Sequence, residues 1–436
     1  MRRWGTSNRG WGHRSSLGRL WPGQGFVHWP KSRLGGGRLH LHALLGFSML
    51  RAIVTVVLVG MGVSLVALKF FPVPYCWIGL TWAALGFAIA AKVSSFAQYP
   101  LMIAASVFLA LALGEAFIAI TGTGLPDISI STAPFTDGPD PLLGWKLEES
   151  RVSRSIEKIG GAVIYDVSYS IDLLGHRISP PDRGDKVQGC VLFLADSFPF
   201  GMGVSDQETF PYQVGLKTHG RFRVVNLSVT GYGAEHMLAT MERGDLAAHP
   251  PCKPTHIFYV ALPSHVLRAA GKQTFSIYGP RYQLGPNGVP EYLGTQQRPP
   301  KWQRWRERLA DQLSKSQIYR ILPERAGTTE GDVELYFAIV KEAFSRFEHQ
   351  WPKAELHVIV WDLRDSYANG QARFHSGFET MRTQIHFIDD ILPGYTKNPV
   401  RYQLHRFDRH PNPMAHEMVA SYLAERVLSP TLSVNR

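Results

Sequence analysis

The sequence predicts an α/β domain built on a parallel β-sheet and preceded by three transmembrane helices. Two observations indicate this. The second half of the chain alternates short apolar runs of strand length with amphipathic stretches of helix length, and three long apolar runs come before it. The chain has 436 residues, of which 45% are hydrophobic and 19% charged, so it is too apolar to be disordered as a whole.

Positive charge is concentrated at the amino terminus. The formal net charge is +11, and residues 1–48 hold eight Arg or Lys but no Asp or Glu, whereas the first acidic residue of the chain is Glu115. A nucleic-acid-binding domain would carry its basic residues on a folded surface, so this distribution argues against nucleic acid as a partner. Met49 directly precedes the first apolar run. Residues 1–48 are therefore expected to be either a basic cytoplasmic tail or untranslated, with Met1 and Met49 as alternative starts.

Residues 49–122 are predicted to form the three membrane spans. The apolar runs cover residues 52–68, 75–91 and 100–122, close to the roughly 17 to 25 residues that a helix needs to cross a bilayer. The basic amino terminus belongs in the cytoplasm by the positive-inside rule. Three crossings then make the protein a multi-pass cell-membrane protein, with everything after residue 123 on the extracytoplasmic side.

Residues 123–184 are predicted to be a linker followed by a small β element, because residues 125–144 are rich in Pro, Gly and Asp and residues 162–173 alternate as strands do. The main domain is expected over residues 185–430, with an insertion at 271–330 that could cover the strand ends. Apolar runs predict its strands at 190–195, 222–227, 256–262, 356–361 and 385–388. Helical stretches lie between them at 208–217, 234–248, 331–350 and 413–428. Strands that alternate with helices form a parallel sheet covered on both faces.

Ligands of such a sheet bind outside the carboxyl ends of its strands, so the residues that follow each strand are the candidates for chemistry. Ser197 follows the first strand, although a serine there is also a common helix cap. Gly231 follows the second strand, where a turn would equally require glycine. Asp408 and His410 come from a loop before the last helix. Nucleophile, orienting acid and base in this combination are typical of a catalytic triad.

These blocks together resemble the SGNH (GDSL-type) hydrolases over roughly residues 185–428. The segment ADSFPFGMGV resembles the first block of the family, NLSVTGYG the second, and the segment with Asp408 and His410 the last. The resemblance implies a flavodoxin-like three-layer fold and acyl-serine chemistry without a metal or an organic cofactor. In that strand order Cys190 and Cys252 precede neighbouring strands, so we expect a disulfide between them.

The resemblance also implies roles for individual residues. Ser197 matches the nucleophile, His410 the base and Asp408 the residue that orients the base, while the N–H groups of Ser197 and Gly231 match the oxyanion hole. Asp408 precedes His410 by two positions instead of the usual three, a spacing that resembles the branch containing polysaccharide O-acetyltransferases. Where the third block has Asn, this chain has Ser264. Either the Ser264 hydroxyl replaces the Asn as a donor, or the N–H groups of Ser197 and Gly231 form the oxyanion hole alone.

The predicted function is therefore a serine esterase that cleaves acyl, most simply acetyl, esters of an envelope glycan or lipid. His265, next to the substituted Asn position, is a candidate substrate contact. Two alternatives remain open. One is an O-acyltransferase that modifies an envelope polysaccharide and needs a partner membrane protein to supply the acyl group. The other is a catalytically inactive binding module of the same fold. No His/Cys cluster has zinc-ligand spacing in the sequence, which predicts no structural metal.

Overall fold

The computed structural model describes residues 74–93, 95–132, 140–243, 252–273, 278–295, 315–321, 327–361, 371–381 and 383–429, together with residue 246 and parts of 55–66 and 305–313. The predicted tail, 1–48, lies outside the described residues. The helices are α1 (Pro74–Ala90), α2 (Ser95–Thr121), α3 (Ser197–Phe200), α4 (Phe210–Lys217), α5 (Ala234–Arg243), α6 (Ser264–Ala269), α7 (Gln317–Ile321), α8 (Glu330–Gln350), α9 (Gln371–Glu379), α10 (Ile388–Ile391) and α11 (Pro413–Tyr422), which continues as a π-helix over Leu423–Leu428. The strands are β1 (Ile128–Thr132), β2 (Val152–Ile159), β3 (Ala162–Ser170), β4 (Gly189–Leu194), β5 (Phe222–Asn226), β6 (His256–Ala261), β7 (Pro280–Leu284), β8 (Pro290–Thr295), β9 (Glu355–Val360), β10 (Gln384–Phe387), β11 (Gln403–His405) and β12 (Asp408–Pro411).

A five-stranded parallel sheet forms the centre of the protein. Its order is β5-β4-β6-β9-β10, so the strands stand in the chain order 2-1-3-4-5 of flavodoxin-like sheets. In its middle Leu192 lies between Val225 on β5 and Ile257 on β6. The middle strands are almost continuously buried, as expected where helices cover both faces. The predicted mixed α/β class with a parallel sheet is confirmed.

The connections explain how both faces are covered. Helices α4 and α11 pack on each other, and α8 packs on α5 and α6. A right-handed crossover from β4 to β5 puts α4 on one face of the sheet, and the chain then moves in the opposite direction from β5 to β6, which puts α5 on the other face. All carboxyl ends of the five strands therefore point to one edge, where the loops that follow them meet.

The segment before the main sheet folds as a three-stranded antiparallel sheet, β1-β2-β3. Alternate residues of β2 are buried, as the strand period requires. This small sheet packs against the loop after α3, because an added side chain at Gly203 would meet Tyr165 of β3, and the Tyr169 hydroxyl accepts a hydrogen bond from the Gly203 N–H at 2.9 Å. The small sheet is therefore joined to the carboxyl edge of the main sheet.

The amino-terminal helices only partly match the three predicted spans. Within the part of the chain that the structure describes, one helical segment, Gln98–Thr121, has the length and apolar composition to cross a bilayer. The apolar helix Tyr75–Ala90 is shorter, and the 17 residues of α1 extend about 25 Å, less than the roughly 30 Å hydrocarbon core. The first predicted span, 52–68, lies partly outside the described residues. Three transmembrane helices are therefore not established.

Glu115 links α2 to the segment that was predicted as an insertion. Its buried carboxylate accepts from the N–H groups of Gln317 and Ile318, each at 3.1 Å, and from the Ser316 hydroxyl. A carboxylate at the amino end of a helix is favourable because it takes up unpaired N–H groups. The acidic residue of the third predicted span thus acts as the cap of α7.

The structure joins Cys190 and Cys252 by a disulfide, with 6.2 Å between their Cα atoms. Cys190 lies on β4 and Cys252 shortly before β6, and these strands are neighbours in the sheet. The predicted pairing of these two cysteines is therefore confirmed. Within the predicted insertion, β7 and β8 form an antiparallel hairpin.

Candidate active site

Ser197 is the first residue of α3, directly after β4. The preceding Asp196 is the N-cap, and its Oδ1 accepts from the Phe198 N–H at 3.0 Å. The helix ends after one turn at Gly201, whose φ of +83° is open to glycine and whose added Cβ would lie 2.3 Å from a Thr209 methyl group. This strand–turn–helix geometry holds the Ser197 backbone rigidly at the carboxyl edge of the sheet.

The β11–β12 hairpin brings Asp408 and His410 to the same edge. His410 Nε2 lies 2.9 Å from Ser197 Oγ, and His410 Nδ1 lies 2.5 Å from Asp408 Oδ1. Asp408 Oδ1 also accepts from the backbone N–H of His410 at 3.1 Å, which fixes the two side chains against each other. The three residues predicted as a triad thus form one hydrogen-bonded chain, although Ser197 and His410 are 213 positions apart.

The two partners of His410 determine which of its ring nitrogens carries the proton. A carboxylate can only accept, so Nδ1 of His410 carries the proton and donates it to Asp408. Nε2 is then the basic nitrogen, and it accepts from the Ser197 hydroxyl. Ser197 and Asp408 are buried, while the His410 side chain is 23% exposed. This arrangement is competent for proton removal from a serine hydroxyl.

A second carboxyl group, Glu157 of β2, contacts Asp408. Both residues are buried, and Glu157 Oε2 and Asp408 Oδ2 have no donor among the other described residues. Burial, and after it the contact with Asp408, raises the pKa of Glu157 to about 8. Burial would also raise the pKa of Asp408, but hydrogen bonds from His410 and Glu157 outweigh it and lower that pKa. At neutral pH Glu157 is thus protonated and donates to the Asp408 carboxylate.

Behind the nucleophile lies a buried ionic network around Asp196. Asp196 Oδ2 accepts from Arg268 Nη1 at 2.8 Å and from His265 Nε2 at 3.2 Å. Burial would raise the pKa of Asp196, but Arg268 and His265 hold it below its usual range. Arg268 Nη1 also donates to the Tyr232 carbonyl at 2.6 Å, so the network ties the nucleophile turn to the loop after β5.

The structure places His265 differently from the predicted substrate contact. Its side chain is fully buried, and besides Asp196 it bonds the Tyr259 hydroxyl at 2.8 Å, which in turn lies 3.2 Å from the Tyr336 hydroxyl. Burial lowers the pKa of His265, so Nε2 donates to Asp196 and Nδ1 accepts from Tyr259. His265 therefore turns inward because the buried Asp196 carboxylate needs a donor, and the structure places this predicted substrate contact in the core.

The residues expected to form the oxyanion hole lie at the same edge. The N–H groups of Ser197 and Gly231 make no hydrogen bond with any acceptor in the described part of the chain. Gly231 has a φ of +85°, a conformation open to glycine. Ser264, a partly exposed residue, begins α6 shortly after β6. Three potential donors thus follow three adjacent strands.

An apolar cavity of about 350 Å³ adjoins this edge. It lies between the segment before β2 and the loops after β4 and β5, and Ser197, Asp408 and His410 are not among its walls. Residues that line it include Leu143, Leu147, Leu194, Tyr232, His236 and Met237.

Reasoning from the sequence missed Glu157 and Arg268. The sequence did contain a signal for Glu157, since this ionisable residue lies on the buried face of the alternating strand β2, between Ser155 and Ile159. A charged residue on the inner face of a strand needs a partner. Arg268 gave no such signal, because its partner Asp196 lies 72 positions away and the pairing depends on the neighbourhood of β4 and β6.

The chain matches no protein-family model and no curated protein sequence. Among solved structures it is similar to a protein described as lipolytic and of the G-D-S-L family from Desulfitobacterium hafniense DCB-2, with 10% identity and a TM-score of 0.33 over 54% of this chain and 98% of that one. It is similar to a carbohydrate esterase family 2 enzyme with a carbohydrate binding domain from Corynascus thermopiles, with 12% identity and a TM-score of 0.32 over 71% and 89% of the two chains. A third is an acetyl xylan esterase from the rumen bacterium Butyrivibrio proteoclasticus, with 11% identity and a TM-score of 0.32 over 71% and 88%.

Proposed function

We propose that the protein is a serine esterase that cleaves acyl esters, with Ser197 as nucleophile, His410 as general base and Asp408 as the residue that orients His410. The observation that carries the proposal is the hydrogen-bonded chain from Ser197 Oγ through the imidazole to Asp408, with distances of 2.9 and 2.5 Å. A serine that only caps a helix needs no such base.

The reaction follows from this arrangement. Ser197 Oγ attacks the ester carbonyl while its proton passes to His410 Nε2, and Asp408 stabilises the imidazolium that forms. The negative carbonyl oxygen is stabilised by the N–H groups of Ser197 and Gly231 and by the Ser264 hydroxyl. His410 then returns the proton to the leaving alcohol. A water molecule then gives a proton to His410 Nε2 and attacks the acyl carbonyl. His410 passes this proton to Ser197 Oγ as the bond between Ser197 and the acyl group breaks.

The substrate class follows from the proposed location. A chain anchored by apolar helices, with its catalytic domain on the extracytoplasmic side, would meet acylated glycans or lipids of the cell envelope. Acetyl esters are the simplest substrates because they require the smallest acyl pocket. The apolar residues of α2 and the capping of α7 by Glu115 support a catalytic domain held against the anchor.

The decisive test is hydrolysis of 4-nitrophenyl acetate by the full chain purified in detergent. We expect Ser197→Ala and His410→Ala each to reduce kcat by about 10⁴-fold or more. Ser168, an exposed serine of β3, provides the matched control, and Ser168→Ala should keep full activity. An unchanged rate in Ser197→Ala would reject the proposal and leave a binding module.

A transferase would share the acyl-Ser197 intermediate and differ only in the acceptor. The same purified protein, given 4-nitrophenyl acetate together with an oligosaccharide, distinguishes the two. The esterase proposal expects acetate as the product at every oligosaccharide concentration. Acetylated oligosaccharide formed in place of acetate, and lost in Ser197→Ala, would favour the transferase.

A further inference from the structure

A second cluster of polar side chains lies at the opposite end of the central sheet, at the amino ends of β6 and β9. His256 is the first residue of β6 and pairs in register with Glu355, the first residue of β9. His357 follows two positions after Glu355, so the side chains of these two residues point to the same face. The active-site strands run away from this cluster, because Ser197 follows the carboxyl end of β4.

The three side chains come together with the spacing of metal ligands. His256 Nε2 lies 4.0 Å from Glu355 Oε1, and His357 Nε2 lies 3.9 Å from Glu355 Oε2. No two of the three candidate ligand atoms are more than 4.8 Å apart. Ligands at about 2.0 to 2.2 Å from Zn²⁺ lie roughly 3.3 to 3.5 Å from each other in a tetrahedral site. The side chains must rotate toward one another to reach that geometry.

His256 is held by the residue before it in the chain. The Thr255 hydroxyl lies 3.0 Å from the Cys190 carbonyl oxygen and 3.0 Å from His256 Nδ1. When the hydroxyl donates to the carbonyl, His256 Nδ1 donates to the hydroxyl, and Nε2, the ring nitrogen that faces Glu355, carries the lone pair.

His357 has a complementary arrangement. Its side chain is fully buried, and its Nε2 has no hydrogen-bond partner among the described residues. The other ring nitrogen, Nδ1, lies 3.1 Å from His386 Nε2, and His386 Nδ1 lies 3.1 Å from the Tyr422 hydroxyl. A buried nitrogen without a partner that faces a carboxylate at 3.9 Å is costly, because the distance is too long for a hydrogen bond. A cation between the two groups would remove that cost.

Two further features suit a metal. Metal-binding histidines usually hydrogen-bond through their second nitrogen, which orients the ring, and Thr255 and His386 provide such partners here. A neutral imidazole that donates through one ring nitrogen offers the lone pair of the other nitrogen to a cation. Glu355 is about half exposed and also accepts from Gln384 at 2.7 Å, so the site opens to solvent through its carboxylate.

We propose that His256, Glu355 and His357 form a binding site for Zn²⁺ or a divalent cation of similar ligand preference, with solvent in the remaining position. Two imidazoles and one carboxylate are a ligand set that Zn²⁺ accepts. Because the ligands come from two adjacent strands, the bound cation would clamp the amino ends of β6 and β9 together. The role is structural and independent of the proposed ester chemistry, which takes place at the other end of the strands.

The experiment uses the full chain in detergent, stripped of metal with a chelator and then titrated with ZnCl₂ by calorimetry. We expect one Zn²⁺ to bind in this site and to raise the melting temperature. Co²⁺ in its place should show the visible absorption of a four-coordinate complex. Glu355→Gln should weaken Zn²⁺ binding at least about tenfold. The exposed Glu348 of α8 supplies the matched control, and Glu348→Gln should bind as the unmodified protein does.

A second ligand variant, His357→Gln, changes a fully buried side chain and can fail to fold. Glu355→Gln changes a half-exposed side chain and should fold, so it keeps the test valid in that case. Unaltered Zn²⁺ affinity in Glu355→Gln would overturn the proposal, since the bound ion would then lie elsewhere, for example on other histidines of the chain. No binding by the unmodified protein would also overturn it, and would mean that the stack of His357 on Phe258, with 4.4 Å between ring centroids, is only a packing feature. Ser197→Ala should bind Zn²⁺ normally, so failure of either proposal is recognised separately.

Discussion

Glu157 and Asp408 are two buried carboxyl groups in direct contact, and only a proton on Glu157 makes that contact favourable. Glu157 comes from the small antiparallel sheet, whereas Asp408 belongs to the hairpin that carries His410. The small sheet therefore reaches the candidate active site from outside the main domain. Through this contact Glu157 would hold the Asp408 carboxylate in the orientation that His410 needs, as a positioning residue.

The Glu157 contact predicts that stability falls as pH rises from the ordinary carboxyl pKa to about 8, and that activity falls as pH rises through about 8. Burial raises the pKa of Glu157 to about 8 in the folded protein, above that of the unfolded chain. The folded state then binds the proton more tightly than the unfolded chain does. Protonated Glu157 therefore contributes its full share of stability below the unfolded pKa, and this share is lost as pH rises to the folded pKa. Glu157→Gln does not titrate and keeps a donor for Asp408. For Glu157→Gln we expect kcat and melting temperature to stay constant over the pH range in which both fall in the unmodified protein.

Two controls accompany that measurement. Glu157→Ala leaves the buried Asp408 oxygen without a donor and should lower kcat about tenfold at neutral pH. Glu348→Gln changes an exposed carboxylate and should follow the unmodified protein at every pH. An alkaline decline that persists unchanged in Glu157→Gln would show that another group titrates there.

Ser264 is expected to donate to the oxyanion in place of the family's Asn. Ser264→Ala should then reduce kcat by about 10²-fold with little change in KM, because the hydroxyl acts on charge that develops only in the transition state. Ser264→Asn should retain most of the activity, since its amide offers a longer-reaching donor. The comparison is steady-state hydrolysis of 4-nitrophenyl acetate, with Ser168→Ala as reference. Full activity of Ser264→Ala would leave the N–H groups of Ser197 and Gly231 as the whole oxyanion hole.

Arg268 is expected to be essential for stability because it neutralises the buried Asp196 carboxylate. Arg268→Met should lower the free energy of unfolding by about 3 to 5 kcal/mol, since an unpaired charge would remain in the core. The double variant with Asp196→Asn should be less destabilised than Arg268→Met alone. Thermal unfolding measures both, with the exposed Arg183→Met as control. Additive losses in the double variant would mean that the two side chains act independently.

The lowered pKa of Asp196 determines how the stability contributed by the Asp196–Arg268 ion pair changes with pH. The ion pair contributes stability at neutral pH, above the unfolded pKa of an aspartate, and this contribution is lost only in strong acid as pH falls toward the lowered value. The difference in free energy of unfolding between Arg268→Met and the unmodified protein should therefore become smaller as the solution is acidified.

The proposed membrane topology predicts export of everything after residue 123. A reporter enzyme that works only outside the cytoplasm should be active when fused after residue 130. The same reporter fused after residue 93, which follows two predicted crossings, should be inactive, because the basic amino terminus keeps that side in the cytoplasm. Activity at residue 93 but not at residue 130 would reverse the orientation and remove the argument for an envelope substrate.

The sequence by itself determined the elements of the central sheet and the candidates that follow its strands. Each predicted strand of the sheet differs from the observed one by a residue or so at its ends, as in 190–195 against Gly189–Leu194. Strands and helices are encoded in local apolar periodicity, which is readable from neighbouring residues. Ser197, Asp408 and His410 were also accessible, because the ends of parallel strands share one edge and their loops must meet there.

The tertiary structure alone decided which side chains pair. Asp196 and Arg268, Glu157 and Asp408, and His256 and His357 are each separated by 72 to 251 positions, so their contacts depend on strand order and register and not on spacing in the chain. His265 shows the consequence: its sequence position next to Ser264 predicted a substrate contact, but the buried charge of Asp196 draws its ring into the core. A buried charge costs too much free energy to remain unpaired, and only the fold determines which residue is near enough to pair with it.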